Sequence, residues 1–318
     1  MSVQFITKLL ICIFLLAFNP SISAQQELVN LYVTVENTEG QMITGLDSKN
    51  FRVFENGKPQ EIKLFTQQDE LASIGFIFDL SYSVTNNEMD SKVDRVGWCR
   101  QAVLDFLQNR MSGDEYLLLS FGDRVIFLSD FINRAEVTRA IGQDANFSKP
   151  SKKKTALYDA MAAAIQKISN AKNKRRVLIV LSDGEDNQST QRFGEIKALV
   201  KKNNITVYAL ATYDPTRGVD RMLGCSSPDI AGLAESSGGA FFGTSRRGEA
   251  IECLFRVASM LQNQYHLGFF SENHDAPDKW RKLEVKLEFS KPESKFIGST
   301  RLRYRKGYFP SSEFALTK

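Results

Sequence analysis

The side chains best suited to chemistry in this sequence are a carboxylate and two hydroxyls at alternate positions. Asp79, Ser81 and Ser83 directly follow the apolar residues 74–78, a pattern typical of a buried strand that ends at Asp79. In an open parallel sheet, ligands bind at the C-terminal ends of the strands. Mg²⁺ prefers oxygen ligands and retains several waters. The pattern therefore indicates a metal site with a largely hydroxyl shell rather than a catalytic dyad.

Two later segments carry the same kind of signal. Thr155 stands just before a segment with helical apolar spacing, and Asp183 comes shortly after the apolar residues 177–181. Glu185 and Asp186 come next, and they either hold a second ion or cap the following turn. Strand ends of this type meet at one edge of a parallel sheet, so we expect Asp79, Thr155 and Asp183 to lie together.

In these positions the sequence resembles the von Willebrand factor type A domain. That family carries a metal-ion-dependent adhesion site formed by D-x-S-x-S, a distant threonine and an aspartate after a later strand. The corresponding residues here are Asp79, Ser81, Ser83, Thr155 and Asp183. The resemblance implies that the serines and the threonine contact the metal directly, whereas the aspartates act largely through water. It also implies Mg²⁺, or Mn²⁺ or Ca²⁺, and a protein partner that offers an Asp or Glu carboxylate.

The residues around these positions suggest a rim for partner contact. Tyr82 either contacts a partner or packs against the domain, and the two interpretations stand equal. Lys152, Lys153 and Lys154 precede the metal-site threonine. They either steer an acidic ligand to the site or form a solvated basic loop.

Other readings of the same residues are weaker. Ser and Asp after a strand are common as helix caps and turn formers. A phosphatase-type fold begins with a strand and D-x-D, but Ser81 stands where that chemistry needs a second acid. His266 and His274 lack the H-E-x-x-H spacing of a zinc hydrolase, and the sequence has no G-x-S-x-G, P-loop or dinucleotide motif. We therefore expect a protein that is not an enzyme.

The N-terminus has the pattern of an export signal. Residues 1–24 contain Lys8, a short apolar core and then small residues, as in a cleaved secretory signal peptide; a retained anchor is the alternative. We expect a mature chain without a membrane-spanning segment, periplasmic or extracellular in location. The net charge of +4 over 318 residues is too small to suggest nucleic-acid binding.

Three cysteines follow the signal segment. An odd number in an exported chain allows at most one internal disulfide. Cys225 with Cys253 is the pairing we consider, because Cys99 lies in a predicted helix; three free thiols are the alternative.

The hydropathy pattern divides the mature chain into three parts. Residues 71–263 alternate strands with helices, which predicts an α/β fold with a doubly wound, mostly parallel sheet. Residues 25–70 and 264–318 read as short strands, including a hairpin in which Asn56-Gly57 joins residues 51–54 to residues 61–65. Neither end can form a stable sheet alone. We expect the two ends to pair into one small β-sandwich, with two separate small sheets as the alternative.

The flanking segments extend the resemblance to a bacterial exported "VWFA-related" family. It covers nearly all of residues 27–310, and its members share no well-defined activity. The function expected is an exported, metal-dependent protein-binding module for adhesion or assembly. The alternatives are a structural envelope protein whose metal only stabilises the fold, and a metal-dependent phosphohydrolase. Because the site is expected on surface loops, we also expect Asp79→Ala to leave the fold intact.

Overall fold

The chain alternates strands and helices between two β-rich ends, in a computed structural model that describes residues 28–81, 84, 94–143, 147, 154–212, 228–273, 278–289 and 300–310. The strands are β1 Leu28–Glu36, β2 Phe51–Glu55, β3 Lys58–Gln60, β4 Leu64–Thr66, β5 Ala72–Asp79, β6 Glu115–Phe121, β7 Val125–Ile132, β8 Arg175–Leu181, β9 Thr206–Thr212, β10 Phe241–Thr244, β11 Tyr265–Phe270, β12 Arg281–Leu287, β13 Arg301–Arg303 and β14 Gly307–Tyr308. The helices are α1 Arg95–Gln108, α2 Arg134–Gly142, α3 Leu157–Ile168, α4 Phe193–Lys202, α5 Pro228–Ser236 and α6 Arg247–Gln262.

A six-stranded sheet forms the centre of the molecule, in the order β10-β9-β8-β5-β6-β7. All neighbours run parallel except β7, which is antiparallel to β6. Every residue of β5 is buried, because helices cover both faces of the sheet. This architecture explains the continuous apolar sequence before Asp79 and confirms the predicted α/β fold class.

The helices form two apolar cores, one on each face of the central sheet. Phe76 faces the core built with α1 and α6, whereas its neighbour Ile77 faces the core built with α3, α4 and α5. Adjacent strand residues point to opposite faces, so both can be buried at once. The helix after Thr155, α3, buries its apolar stripe as its spacing predicted.

The two ends of the chain form a β-sandwich, as predicted. One antiparallel sheet has the order β13-β1-β11-β4 and the other β14-β12-β2-β3. β1 pairs with β11 from Leu28 opposite Phe270 to Val33 opposite Tyr265. Residues of both sheets share a single apolar core. The exact domain limits given above remain a prediction.

The hairpin at Asn56-Gly57 exists, but its second strand was predicted wrongly. Asn56 and Gly57 have φ values of +49° and +80°, as a tight hairpin turn requires. The strand that returns is Lys58–Gln60, which pairs with β2. Residues 61–65 were expected in this role, whereas Leu64–Thr66 joins β11 in the opposite sheet.

One buried arginine, Arg175, holds the two connections between the sandwich and the central sheet. Arg175, at the start of β8, donates to Oδ1 of Asp69 over 3.2 Å and to the carbonyl of Glu70 over 3.1 Å, just before β5. The same guanidinium donates to the carbonyl of Leu261 and to Oε1 of Gln264, at the exit from α6. One side chain therefore binds both crossing points.

The cysteines that the structure describes are free thiols. Cys99 is buried in α1 and Cys253 is half-buried in α6. Cys225 lies outside the described residues, and with it the disulfide considered between Cys225 and Cys253. Among the described helices, none is both long enough and apolar enough to cross a membrane.

Candidate metal centre

Asp79 is the last residue of β5 and lies between the ends of its two neighbouring strands. Its side chain is not on a surface loop as expected: the residue is only 3% exposed. Oδ1 accepts a hydrogen bond from the amide of Ser81 over 2.8 Å. Oδ2 accepts one from the hydroxyl of Ser182 over 2.5 Å. The carboxylate is thus fixed in orientation from both sides.

The surroundings of Asp79 disfavour the charged form of its carboxylate. Burial, followed by repulsion from Asp183, raises the pKa of Asp79 to about 7, although hydrogen bonds from Ser182 and Ser81 lower it. Among the described residues, no basic side chain forms an ion pair with Asp79. A bound cation would therefore stabilise these two neighbouring carboxylates, which have no basic partner among the described residues.

Asp183 reaches the site through the end of β8. β8 pairs with β5 so that Leu181 lies opposite Phe78, which brings the next residues of β8 beside Asp79. Asp183 is half-buried, and its Oδ1 accepts from the amide of Glu185 over 3.2 Å. Gly184 turns the chain with a φ of +84°, a conformation that suits glycine.

Thr155 is held beside this loop by its main chain. Its amide donates to Oδ1 of Asn187 over 2.8 Å, and its carbonyl accepts from the amides of Asn187 and Gln188. The next amide, that of Ala156, donates to the carbonyl of Gly122 in the β6–β7 turn over 2.8 Å. Thr155 is 3% exposed, and its hydroxyl has no hydrogen-bond partner among the described residues. The main chain of Thr155 is therefore held in place, and its hydroxyl is available to a ligand.

The structure thus brings four of the predicted residues to one edge of the sheet. Ser81 is buried beside Asp79, and Asp183 is close enough to Asp79 to change its pKa. Asp186 caps a turn as one alternative predicted, because it accepts from the hydroxyl of Ser189. Among the other predicted residues, Lys154 is exposed, whereas Ser83, Tyr82 and Lys153 lie outside the described residues.

The donor chemistry of this edge fits a hard divalent cation. Asp79, Asp183 and the hydroxyls of Ser81 and Thr155 supply oxygen atoms of the type that Mg²⁺, Mn²⁺ and Ca²⁺ bind. Within the described part of the chain, no three His, Cys, Asp or Glu side chains gather as a softer metal would require. The uncompensated carboxylate of Asp79 is the feature that a cation would neutralise.

Two residues of the centre were missed in the sequence. Ser182 bonds to Asp79, and Asn187 clamps Thr155. The position of Ser182 directly after a buried strand and before Asp183 was a signal for it. Asn187 had no such signal, because its contact with Thr155 spans 32 residues.

Comparison with known proteins connects this geometry to a family. The model of the von Willebrand factor type A domain matches residues 73–231, which is half of the chain. Among curated proteins, none matches the chain significantly in sequence.

Several solved structures are similar at low sequence identity. Proximal thread matrix protein 1 from the mussel byssus is 18% identical with a TM-score of 0.49, covering 64% of this chain and 49% of the mussel protein. The chain thus spans about half the length of that relative. A structure of the same mussel protein with a zinc-occupied MIDAS motif is 16% identical with a TM-score of 0.49, covering 66% and 50%. A von Willebrand factor type A protein from Catenulispora acidiphila is 8% identical with a TM-score of 0.49, covering 84% and 72%.

Proposed function

The chain belongs to the von Willebrand factor type A domain family, and on that premise we propose that it is a metal-dependent protein-binding module. The role is one of binding without catalysis. The cation is held by a set of oxygen donors, namely Asp79, Ser81, Ser83, Thr155 and Asp183.

One observation carries the proposal. The carboxylate of Asp79 is buried beside that of Asp183, and no basic side chain among the described residues neutralises it. A buried charge without a partner is costly, so a fold that keeps one at a strand end gains from a bound cation. In this proposal the hydroxyls of Ser81 and Thr155 contact the cation directly, whereas Asp79 and Asp183 act largely through water. The direct ligands therefore carry little negative charge.

A low-charge donor set decides which partner the site suits. Neutral hydroxyl ligands leave a bound divalent cation much of its positive charge, so an anionic ligand is favoured at its open coordination position. An Asp or Glu carboxylate of a partner protein has this chemistry. Lys154, which is exposed beside Thr155, adds positive charge that would attract such a partner.

Calorimetric titration with Mg²⁺, and separately with Mn²⁺, tests the metal site. We expect saturable binding to the wild-type chain and none to Asp79→Ala. Asp130→Ala is the matched control, because Asp130 is an exposed aspartate of β7 that pairs with Lys167. Absence of binding to the wild-type protein, or equal binding to Asp79→Ala, would contradict the proposal.

A stabilising role for the metal is a second candidate, and the burial of Asp79 favours it. Asp79 ends the central strand β5, so a cation there would also strengthen the sheet. Capture of proteins from envelope extracts, with Mg²⁺ or with EDTA, separates the two roles. Partners retained only with Mg²⁺ and only by wild-type protein support recognition. Metal binding without such partners supports the stabilising role.

Export is part of the same proposal. The signal-like pattern of residues 1–24 supports it, and those residues lie outside the described part of the chain. We infer a periplasmic or extracellular protein of the bacterial exported family named above. N-terminal sequencing of the exported protein is the test, and a start between Ser23 and Gln26 is expected. An intact N-terminus would identify a retained anchor.

A further inference from the structure

A charged cavity lies between the sandwich and helix α6, away from the metal centre. Its volume is about 610 Å³, within the range of small-molecule sites. It is lined by the end of β1, the turn that follows, the start of β13 and Arg256 of α6. Glu36 and Arg301 stand directly opposite each other on β1 and β13.

Glu36 forms the floor of this cavity and is already neutralised. The residue is 1% exposed. Arg303 donates to its Oε1 from Nε over 2.8 Å and lies 2.7 Å from it with a second nitrogen. The other oxygen, Oε2, is buried and has no hydrogen-bond partner among the described residues. A buried acceptor without a donor is costly, so a ligand that donates here is favoured.

Two further guanidiniums, those of Arg256 and Arg301, line the cavity. Arg256 lies 3.6 Å from Oε2 of Glu36 and Arg301 lies 3.8 Å from Oε1, both beyond hydrogen-bond length. Neither donates a hydrogen bond to any described residue. Their side chains are 42% and 67% exposed. Arg256 is also positioned by its stacking on Phe242 and by Gly40, where a Cβ atom would collide with its guanidinium.

We propose that this cavity binds a small carboxylate that carries a neighbouring N–H or O–H donor. The carboxylate bridges Arg256 and Arg301, since a guanidinium matches the geometry of two carboxylate oxygens. The N–H or O–H group of the ligand donates a hydrogen bond to Oε2 of Glu36. A sulfate dianion is disfavoured, because it has no hydrogen-bond donor for Oε2 of Glu36. A peptide C-terminus and an acidic sugar both have the favoured chemistry.

Calorimetric titration of the full chain with four probes tests this proposal. N-acetyl-alanyl-alanine and glucuronate represent the two sources of the carboxylate, and saturable binding of either one identifies the source. The C-terminal amide of the same dipeptide lacks the carboxylate, and inorganic sulfate lacks the donor. We expect both of these probes to bind at least tenfold more weakly than the better carboxylate, roughly what one lost charged hydrogen bond costs.

Arginine variants test whether the carboxylate binds in this cavity. Arg256→Gln and Arg301→Gln each are expected to raise the Kd about tenfold or more. Arg301 is largely exposed, so its replacement keeps the test valid should Arg256→Gln fold poorly. Arg52→Gln is the matched control, since Arg52 pairs with Glu288 on the other sheet. Asp79→Ala is also expected to bind normally, which separates this site from the metal centre.

Three results would overturn the proposal. They are the absence of saturable binding for both carboxylates, sulfate binding as tight as that of the carboxylates, and an unchanged Kd in both arginine variants.

Discussion

The hydroxyl of Ser182 donates to Oδ2 of Asp79 over 2.5 Å, although the two residues lie 103 positions apart in the chain. The contact joins the ends of the two most central strands, β5 and β8. The amide of Gly184 donates to the same hydroxyl over 3.0 Å, which fixes its rotamer. Because Ser182 holds one carboxylate oxygen and the amide of Ser81 holds the other, Asp79 has a single orientation.

Replacement of Ser182 is expected to weaken metal binding without removing a ligand. Partners that orient a metal ligand typically contribute about 10- to 100-fold in affinity, so Ser182→Ala should raise the Kd for Mn²⁺ by about tenfold. Ser182→Thr retains the hydroxyl and should bind nearly as the wild type does. Calorimetry measures both, with Ser236→Ala as a control whose hydroxyl bonds only within α5. Equal affinities for Ser182→Ala and wild type would show that the hydrogen bond does not orient Asp79.

The raised pKa of Asp79 predicts how stability depends on pH in the metal-free protein. The folded state holds a proton on Asp79 up to about pH 7, whereas the unfolded chain releases it near its ordinary value of about 4. Between these values the folded state binds more protons, so the free energy of unfolding falls as pH rises. The stability that protonated Asp79 contributes to the folded state is present at pH 4 and lost above pH 7.

Asp79→Asn removes this titration and should therefore stabilise the metal-free protein above pH 7. A gain of about 1–3 kcal/mol is expected at pH 8, shrinking to near zero at pH 4, because a buried unpaired charge is removed. Urea unfolding in EDTA across this range measures it. Asp130→Asn serves as the exposed control. An Asp79→Asn variant that is no more stable than wild type at pH 8 would show that the buried charge of Asp79 does not destabilise the metal-free protein.

Local sequence patterns predicted which polar residues meet at this edge of the sheet better than they predicted how the surrounding strands pair. Asp79 and Asp183 were identified as candidates because each comes at the end of a buried strand, and that signal is contained within a few residues. The partner of the Asn56-Gly57 turn was misplaced because Leu64–Thr66 pairs with β11, about 200 residues away, and only the assembled sandwich provides that edge. The burial of Asp79 was missed for the same reason, since it depends on strands β6 and β8 from elsewhere in the chain.

The junction between the sandwich and the central sheet depends on Arg175. Its side chain is 4% exposed and binds groups from both connections. Arg175→Met would leave the carbonyl of Leu261 and the side-chain oxygen Oε1 of Gln264 without the donor that now binds them. Breaking a buried ion pair from one side costs about 3–5 kcal/mol, and we expect a loss of that size in urea unfolding. Arg52→Met, at an exposed ion pair, should change stability by less than about 1 kcal/mol. Similar effects of the two variants would mean that Arg175 does not hold the junction.

Replacement of two glycines by alanine is expected to change the free energy of unfolding in opposite directions. Gly239 follows α5, and Gly232 lies within it. A Cβ atom on Gly239 would collide with the carbonyl oxygen of Val207, so the backbone at the start of β9 must move to accept it. Gly239→Ala is expected to lower the free energy of unfolding by about 1–3 kcal/mol or more. Gly232 lies in α5 with open space around it, so Gly232→Ala should raise the same quantity by about 0.5–1 kcal/mol through helix propensity.

Urea unfolding of the two glycine variants beside wild type measures both effects. Metal binding by Gly232→Ala should equal that of the wild type, because α5 supplies none of the proposed ligands. A Gly239→Ala protein as stable as wild type would show that β9 can move away from Gly239 without cost. Since β9 pairs with β8 up to Leu181, such freedom would also weaken the case that Ser182 and Asp183 are rigidly placed beside Asp79.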